Sequence, residues 1–323
     1  MVLTSDDVES ILTINDTISV LEKSFIELSR KQVNMTDRDV FVLEDKNGWF
    51  GIMTAHVKNM AALGTKLVTV FPKNIEINKP TTQAVISLID VNTGELIGII
   101  DGSLITGMRT GATTGIATKY LSKKNSSKLI HISSTSVYGE QKGLVDENCK
   151  KLRPKSPYAK VKVIEENILK KNKDKISFVS YRFGTISGVS MGMRFHTAIN
   201  KFCFCALLGK PLPVWKSMMN KPRPYLSLKD AFKVIKFTIE NNFFNNETFN
   251  ILSENLTLKK IIGYFKKYKK TIKIKYEKSK LVNQYSYRVS SEKFTRKALL
   301  LKSNIYHDIK FTLKMFRNIN NEM

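Results

Sequence analysis

The sequence has little cysteine, no long apolar run and no basic leader, and each absence excludes a class of protein. Three cysteines among 323 residues are too few for a disulfide framework. No stretch reaches about 18 apolar residues, so no membrane span is predicted. The N-terminus has no basic segment followed by an apolar one, so no secretory signal is predicted and the cytoplasm is the expected location. Cys203 and Cys205 are interpreted as buried thiols, and no metal site is predicted, because the four histidines are scattered without ligand spacing.

The net charge of +25 is concentrated in one part of the chain. Residues 1–125 carry about 13 basic and 14 acidic side chains, whereas residues 126–323 carry about 40 basic and 14 acidic ones. A positive charge attracts anionic partners, but zinc-finger spacings and RNA-binding aromatic motifs are missing from the sequence. We therefore expect no specific nucleic-acid partner, and we note that the composition changes where the motifs change.

The first 125 residues are predicted to begin with helices and to continue with short strands. Asp6 to Glu9 has the spacing of an N-cap, and apolar residues recur after it at helical intervals, with a break near Asn15. Strands are predicted at residues 39–43, 49–53, 66–71 and 84–90. Asn92-Thr-Gly94 predicts a hairpin turn, and residues 103–121 predict a helix rich in small side chains.

Five motifs in this part carry a family resemblance. They are Lys66-Leu-Val-Thr-Val-Phe-Pro-Lys-Asn74, Pro80-Thr-Thr-Gln-Ala84, Leu88-Ile-Asp-Val-Asn-Thr-Gly94, Ile100-Asp-Gly102 and Thr106-Gly-Met-Arg-Thr-Gly-Ala112. In this order they resemble the N-terminal half of the ornithine cyclodeaminase/μ-crystallin family, over about residues 1–123. The resemblance implies an amino- or imino-acid substrate bound beside a following Rossmann domain, and a homodimer formed through this half.

Arg38, Lys66 and Arg109 fall at positions where the family binds substrate or cofactor. The resemblance implies that the arginines hold a carboxylate or a cofactor phosphate and that the lysine lies at the reacting centre. An arginine fork suits a carboxylate, and a lysine can exchange protons when its surroundings change its pKa. The segment Gly51-Ile-Met-Thr54 lacks the acid and the proline that cyclodeaminases carry there, so cyclodeaminase chemistry itself is not expected.

The residues from 126 onward resemble a different family. A strand at 128–133 is followed by Ser134-Thr-Ser-Val-Tyr-Gly139, then by Ser156-Pro-Tyr-Ala-Lys-Val-Lys162, and much later by Arg223-Pro-Tyr-Leu-Ser227. This order resembles the C-terminal part of the extended short-chain dehydrogenases, the NAD-dependent epimerase/dehydratase group. The resemblance implies NAD or NADP as cofactor and a nucleotide sugar as substrate.

Ser134, Tyr158 and Lys162 match the catalytic positions of that group. A lysine four residues after a tyrosine lies on the same helix face, where its charge lowers the tyrosine pKa and allows the phenol to exchange protons. The resemblance also gives Tyr158 and Lys162 a role in cofactor binding and gives Arg223 one in binding the substrate diphosphate. Thr135 and Ser136 stand where dehydratases carry an acidic pair, which disfavours dehydration.

Both families hold the dinucleotide pyrophosphate on a glycine-rich turn at a helix start, and the sequence lacks this turn. No glycine precedes Gly48, and Gly107, Gly111 and Gly115 lie inside a predicted helix. We therefore predict weak or absent dinucleotide binding. The first strands of the second half's sheet are missing too, which would expose the edge of the strand at 128–133.

The expected fold class is α/β: an α+β domain for dimerisation and substrate binding at 1–125, then a partial Rossmann-like parallel sheet with a small C-terminal substrate subdomain at 126–323. The expected function is that of an NAD(P)-dependent epimerase/dehydratase-like oxidoreductase acting on a nucleotide sugar through Tyr158 and Lys162. Two alternatives stay open. One is an ornithine cyclodeaminase-like amino- or imino-acid enzyme, and the other is a non-catalytic binding or dimerisation protein.

Overall fold

A computed structural model of the chain describes residues 1–37, 39–46, 48–121, 128–190, 192–195, 197–268, 271–277 and 286–319. The contacts divide the chain into two compact units, Met1–Lys124 and Asn125–Met323. Both mix helices and strands, so the predicted α/β class is confirmed.

Among its described residues, the first unit contains three α-helices and seven strands. The helices are α1 (Ser5–Ile11), α2 (Ile14–Ser29) and α3 (Gly102–Leu121). The strands are β1 (Val2–Leu3), β2 (Val33–Met35), β3 (Asp39–Leu43), β4 (Gly48–Val57), β5 (Ala62–Val70), β6 (Thr82–Ile89) and β7 (Leu96–Asp101).

Threonine capping boxes start the first two helices. Thr4 Oγ1 accepts a hydrogen bond from the Asp7 amide at 3.3 Å, and Thr4 N donates to the Asp7 carboxylate at 2.8 Å. Thr13 and Asp16 repeat the arrangement at the start of α2, which accounts for the break predicted near Asn15. The predicted cap at Asp6 was therefore wrong by two residues, because Thr4 caps α1 instead.

One sheet contains all seven strands of this unit. Its order is β1-β7-β6-β5-β4-β2, and β3 pairs with β4 beside β2. The strands β4 to β7 are antiparallel neighbours, and β6 and β7 form the hairpin predicted around Gly94, whose φ is +76°. The helix α3 packs against α2 and β6. A Cβ at Gly102 would lie 3.0 Å from Ala84 Cβ, so glycine permits this close approach of α3 to the sheet.

The second unit contains ten strands and six helices within the part of the chain that the structure describes. The strands are β8 (Lys128–Ser134), β9 (Leu144–Val145), β10 (Ser177–Phe183), β11 (Thr185–Ser187), β12 (Leu212–Trp215), β13 (Arg223–Ser227), β14 (Glu247–Ile251), β15 (Glu254–Leu256), β16 (Ile274–Glu277) and β17 (Arg288–Val289). The helices are α4 (Pro157–Lys171), α5 (Ala198–Leu207), α6 (Leu228–Glu240), α7 (Leu258–Tyr268), α8 (Glu292–Lys297) and α9 (Ile305–Ile319).

A three-stranded parallel sheet, in the order β14-β10-β8, forms the centre of the second unit. Its β10 is buried from Phe178 to Phe183, as expected for a central parallel strand covered on both faces. The aromatic rings of Tyr181, Phe249 and Phe294 pack together beside it. A second hydrophobic cluster joins α5, α7 and α9, and it forms the core around the smaller strands.

The edge of β8 is open among the described residues. In this part of the chain, β8 pairs with β10 along seven residues and with no strand on its other side. This agrees with the missing first strands noted in the sequence. A parallel sheet of this kind normally continues beyond such a position.

A buried ion pair connects β10 to α4. The Arg182 guanidinium donates to both carboxylate oxygens of Glu166, at 2.9 and 2.6 Å, and Ser133 Oγ donates to the same carboxylate at 2.6 Å. Arg182 also donates to the Tyr138 hydroxyl at 2.8 Å. These bonds fix the position of α4 relative to the ends of β8 and β10.

Candidate functional site

Lys66 lies on the helix-covered face of the first sheet. It is opposite Met53 on β4 and Ile86 on β6, and directly opposed residues of antiparallel strands project to the same face. Ile86 Cγ1 lies 3.2 Å from the position that a Cβ would take at Gly102. Lys66 therefore shares its face of the sheet with the start of α3, and the residue is half-buried.

Arg109 lies on α3, two turns after Gly102. Seven residues correspond to almost two complete helical turns, so Arg109 is on the same side of α3 as Gly102 and is exposed. Lys66 and Arg109 therefore lie in one unit, on the strand β5 and the helix α3, which both adjoin β6. Arg38, the third residue predicted for this site, lies outside the described residues.

The departure from the cyclodeaminase pattern lies beside Lys66. Thr54 is opposite Thr65, and their hydroxyls are 3.1 Å apart. Met53, opposite Lys66, offers a thioether and no carboxylate. Neither of the two residues directly opposite Lys66, Met53 and Ile86, is a carboxylate.

Ser134 and Tyr158 line one cavity of about 640 Å³ in the second unit, here called the Ser134 cavity. Ser134 ends β8 and caps a short 3-10 turn, Thr135–Tyr138, because its hydroxyl accepts from the Ser136 amide at 3.2 Å. Tyr158 stands in the first turn of α4, which Ser156 caps by accepting from the Ala159 amide at 3.1 Å. Pro157 fits this helix start because its missing N–H would have no partner there.

Lys162 lies one turn after Tyr158, as the spacing predicts, with its ammonium 5.7 Å from the centre of the Tyr158 ring. The ammonium donates to Glu165 at 2.7 Å, and Lys162 is not among the residues that line the cavity. Tyr158 is 56% exposed. The structure thus places Lys162 close to Tyr158, but the Lys162 ammonium is paired with the Glu165 carboxylate.

Sequence reasoning missed Glu165, which pairs with Lys162, and His131, which contacts Glu165. Glu165 Oε2 contacts His131 Nε2 at 2.9 Å, and His131 Nδ1 contacts Ser180 Oγ at 2.8 Å. Burial alone would raise the pKa of Glu165, but hydrogen bonds from His131 and Lys162 outweigh it, so this pKa lies below its ordinary value. The spacing of three residues between Lys162 and Glu165 was the available signal for this pair.

Basic and aromatic side chains surround the Ser134 cavity. The aromatic residues are Tyr158, Phe202, Trp215, Tyr225 and Tyr287, and the basic ones are Lys155, Lys201, Lys221 and Arg223. The Nε atom of Arg223 is buried and has no hydrogen-bond partner among the described residues. Burial raises the pKa of Tyr225 to about 12, although Arg223 opposes this. The cavity can therefore accept an anionic group beside a planar apolar one.

The described residues do not fit a dinucleotide pyrophosphate. Its charge needs backbone N–H groups at a helix start that glycines leave accessible. After β8 there is one 3-10 turn, whose Ser136 amide already donates to Ser134. Gly139 has φ +63°, and a Cβ there would lie 1.9 Å from the carbonyl oxygen of Arg153. The space that this glycine opens is therefore filled by the chain's own backbone.

The described residues contain no group of three or more histidine, cysteine, aspartate or glutamate side chains able to hold a metal ion. They also include no helix with the length and apolar character needed to cross a membrane. Burial raises the pKa of the Cys203 thiol, which favours its protonated form.

Comparison with family models matches two families along the chain. Residues 1–167 match the ornithine cyclodeaminase/mu-crystallin family, and residues 108–251 match the NAD dependent epimerase/dehydratase family. The two-part composition predicted from the sequence is therefore confirmed. The matches overlap over residues 108–167, which include most of α3, all of β8 and most of α4.

The similar curated proteins act on amino and imino acids. A Delta(1)-pyrroline-2-carboxylate reductase from Bacillus cereus is 31% identical over 147 residues, 45% of this chain and 44% of the relative. An alanine dehydrogenase from Archaeoglobus fulgidus is 33% identical over 127 residues, 39% of this chain and 38% of the relative. The chain thus matches less than half the length of these relatives.

Among solved structures, a UDP-glucuronic acid 4-epimerase from Bacillus cereus, in complex with UDP-glucuronic acid and NAD, has a TM-score of 0.55 at 21% identity. The alignment covers 68% of each chain. At this identity the likeness shows the fold alone. The cofactor predicted from the sequence, NAD or NADP, is supported by the match to the NAD dependent epimerase/dehydratase family.

These findings correct one prediction. The expected main function, a nucleotide-sugar epimerase or dehydratase, is contradicted, because the similar curated proteins act on amino or imino acids. The coarser class, that of NAD-dependent oxidoreductase-like enzymes, is supported by the epimerase/dehydratase family match and by the similarity to a reductase. Because one family model matches more than half of the sequence, the chain belongs to the ornithine cyclodeaminase/mu-crystallin family.

Proposed function

We propose that this protein is an NAD(P)-dependent enzyme of amino or imino acids, and that its first unit binds the substrate. The observation that carries the proposal is the match of residues 1–167 to the ornithine cyclodeaminase/mu-crystallin family. The 31% identity to a Delta(1)-pyrroline-2-carboxylate reductase supports a cyclic imino acid as the substrate class.

Lys66 is the proposed proton-exchanging group. Its half-buried position between Met53 and Ile86 removes part of its hydration. A lysine in such a place exchanges protons more readily than an exposed one. The imine nitrogen of a cyclic imino acid is a base, and such a lysine can donate a proton to it.

Arg109 is the proposed carboxylate-binding group. It is exposed on the side of α3 that begins at Gly102, so its five donors can reach a small anion. A carboxylate accepts two parallel hydrogen bonds from a guanidinium. Together, a guanidinium for the carboxylate and an ammonium for the nitrogen match the two polar ends of an imino acid.

A second candidate function is the non-catalytic binding of the same small molecule. It is favoured by the filled space at Gly139, which leaves the described residues without a pyrophosphate cradle. In this case the first unit still binds the small molecule, while the second unit no longer binds a dinucleotide.

The test measures both binding and turnover of Δ1-pyrroline-2-carboxylate by the intact protein. Binding is followed by calorimetry, and turnover is followed by oxidation of NADH or NADPH at millimolar concentration, because weak cofactor affinity is expected. Lys66→Met should lower kcat/KM by about 100-fold or more, as expected for the loss of a proton-exchanging group. Arg109→Leu should weaken binding by about 10- to 100-fold, the effect of one charged hydrogen-bonding group.

Lys79→Met is the matched control, since Lys79 is exposed outside the strands. Binding without turnover in the unaltered protein would select the non-catalytic function. If neither binding nor turnover is measurable, or if Lys79→Met has the same effect as Lys66→Met, the assignment of the first unit is wrong.

A further inference from the structure

We propose that helices α5 and α9 form a surface that binds anionic lipid membranes peripherally. This surface, called here the α5–α9 face, is independent of the substrate site in the first unit. Its apolar members are Phe195, Phe204, Leu208, Phe311 and Met315, and its basic members are Lys201, Lys210, Lys310, Lys314 and Arg317.

The apolar side chains of this face are large and exposed. Phe311 is 54% exposed, Leu208 is 48% exposed, and the other three are 44–45% exposed. The opposite faces of both helices are buried in one hydrophobic cluster that contains Phe202, Ile309 and Leu313. The exposed residues are therefore not needed to hold the helices in the fold.

Ring contacts join the two helices at this surface. Phe195 lies 5.2 Å from Phe204 of α5 and 6.5 Å from Phe316 of α9, measured between ring centres. Met315 precedes Phe316, and Phe311 lies one turn before Met315. The apolar residues thus belong to neighbouring helices.

The charges of the face have a single sign. The sequence from Phe195 to Lys210 contains no acidic residue, and Asp308, which is buried, is the acid within α9. Lys310, Lys314 and Arg317 follow each other at helical spacing on the exposed side of α9. Lys229 adds another cation, 5.8 Å from the centre of the Phe311 ring.

An anionic membrane surface fits both properties. Exposed aromatic and aliphatic side chains enter the boundary between headgroups and acyl chains, while lysine and arginine remain at the anionic headgroups. A nucleic acid would use the cations, but it offers less to Leu208 and Met315, which cannot stack on bases. The absence of exposed acids on both helices means that nothing on them repels an anionic surface.

The experiment is co-sedimentation of the intact protein with vesicles of phosphatidylcholine containing about 30% phosphatidylserine. We expect binding that is lost on pure phosphatidylcholine and weakened by salt. Each cation near such a surface contributes about five-fold, so Lys310→Gln, Lys314→Gln and Arg317→Gln together should weaken binding by about 100-fold. Phe311→Ser with Met315→Ser should weaken it by about 10-fold or more, with the charge unchanged.

The matched control is Lys171→Gln with Lys173→Gln and Lys175→Gln, three exposed cations at the end of α4 and in the turn after it. It removes the same charge and should change binding much less than the α9 variant. Equal losses in both triple variants would overturn the proposal, since they would show attraction by net charge alone. Equal binding to heparin and to vesicles, unaffected by the serine substitutions, would assign the face to soluble polyanions instead.

Discussion

Glu166 is the central carboxylate of a hydrogen-bond network in the second unit. It is buried and accepts from Arg182 and from Ser133, next to Ser134. Arg182 in turn donates to Tyr138, whose pKa burial raises to about 12 although Arg182 opposes this. The pair therefore connects the end of β8, the turn after it and α4.

Glu166→Gln should destabilise the second unit by about 3–5 kcal/mol, because it leaves the buried Arg182 charge without a counter-ion. The free energy of unfolding measured in urea checks this value. Glu240→Gln removes a carboxylate from an exposed pair with Lys236 and should change stability by less than about 1 kcal/mol. Similar losses in the two variants would contradict a special role for the buried pair.

The same carboxylate should give the protein acid sensitivity. Burial would raise the pKa of Glu166, but the hydrogen bonds and charge of Arg182 outweigh it, so the folded-state pKa lies below the ordinary 4.5. A lowered carboxylate pKa stabilises the fold fully above the unfolded value and loses that contribution as the pH falls through the folded value. Unfolding measured from pH 6 downward should thus show a stability loss below about pH 4.5 that is smaller in Glu166→Gln.

At the scale of elements, the sequence predicted most strands and helices but placed several of their ends wrongly. The strand predicted at 49–53 extends over Gly48–Val57, because pairing with β5 along its length continues it beyond its apolar residues. The pairing of Tyr158 with Lys162 could be predicted because it is local to one helix. The contact of Glu165 with His131 could not, since it depends on how α4 packs on β8.

The element with the greatest consequence for the cofactor is the turn after β8. NAD(P) is the cofactor that the epimerase/dehydratase family match supports, yet this turn offers no glycine-lined helix start. We expect titration with NAD or NADP to give weak binding that fades as salt shortens the range of charge attraction. Saturable micromolar binding at high salt would show that a cradle forms elsewhere.

At the scale of the whole molecule, the first unit exposes three successive apolar side chains on its edge strand β3. Val40, Phe41 and Val42 of the edge strand β3 are 51%, 59% and 69% exposed, and an edge of this kind invites pairing with another chain. The first unit is expected to use it in a homodimer, as the family resemblance implies.

Light scattering after size exclusion should therefore give about twice the 36.8 kDa chain mass. Val42→Lys should shift the protein to the monomer, because a lysine on an edge strand opposes pairing. Phe232→Lys, at a residue of α6 that is 65% exposed, is the control and should leave the mass unchanged. A monomer in the unaltered protein at micromolar concentration would contradict the expectation.

The order of β7, α3 and β8 along the chain has a consequence for how the protein can be divided. Strand, helix and strand in this order usually make a crossover within one sheet. Here β7 already pairs with β1 and β6, and β8 pairs with β10 in a different sheet. Each described sheet takes all its strands from one side of the junction between α3 and β8. A polypeptide interrupted at that junction would keep every ladder hydrogen bond of the described sheets. By this connectivity, the two halves are modules that can be made as separate chains.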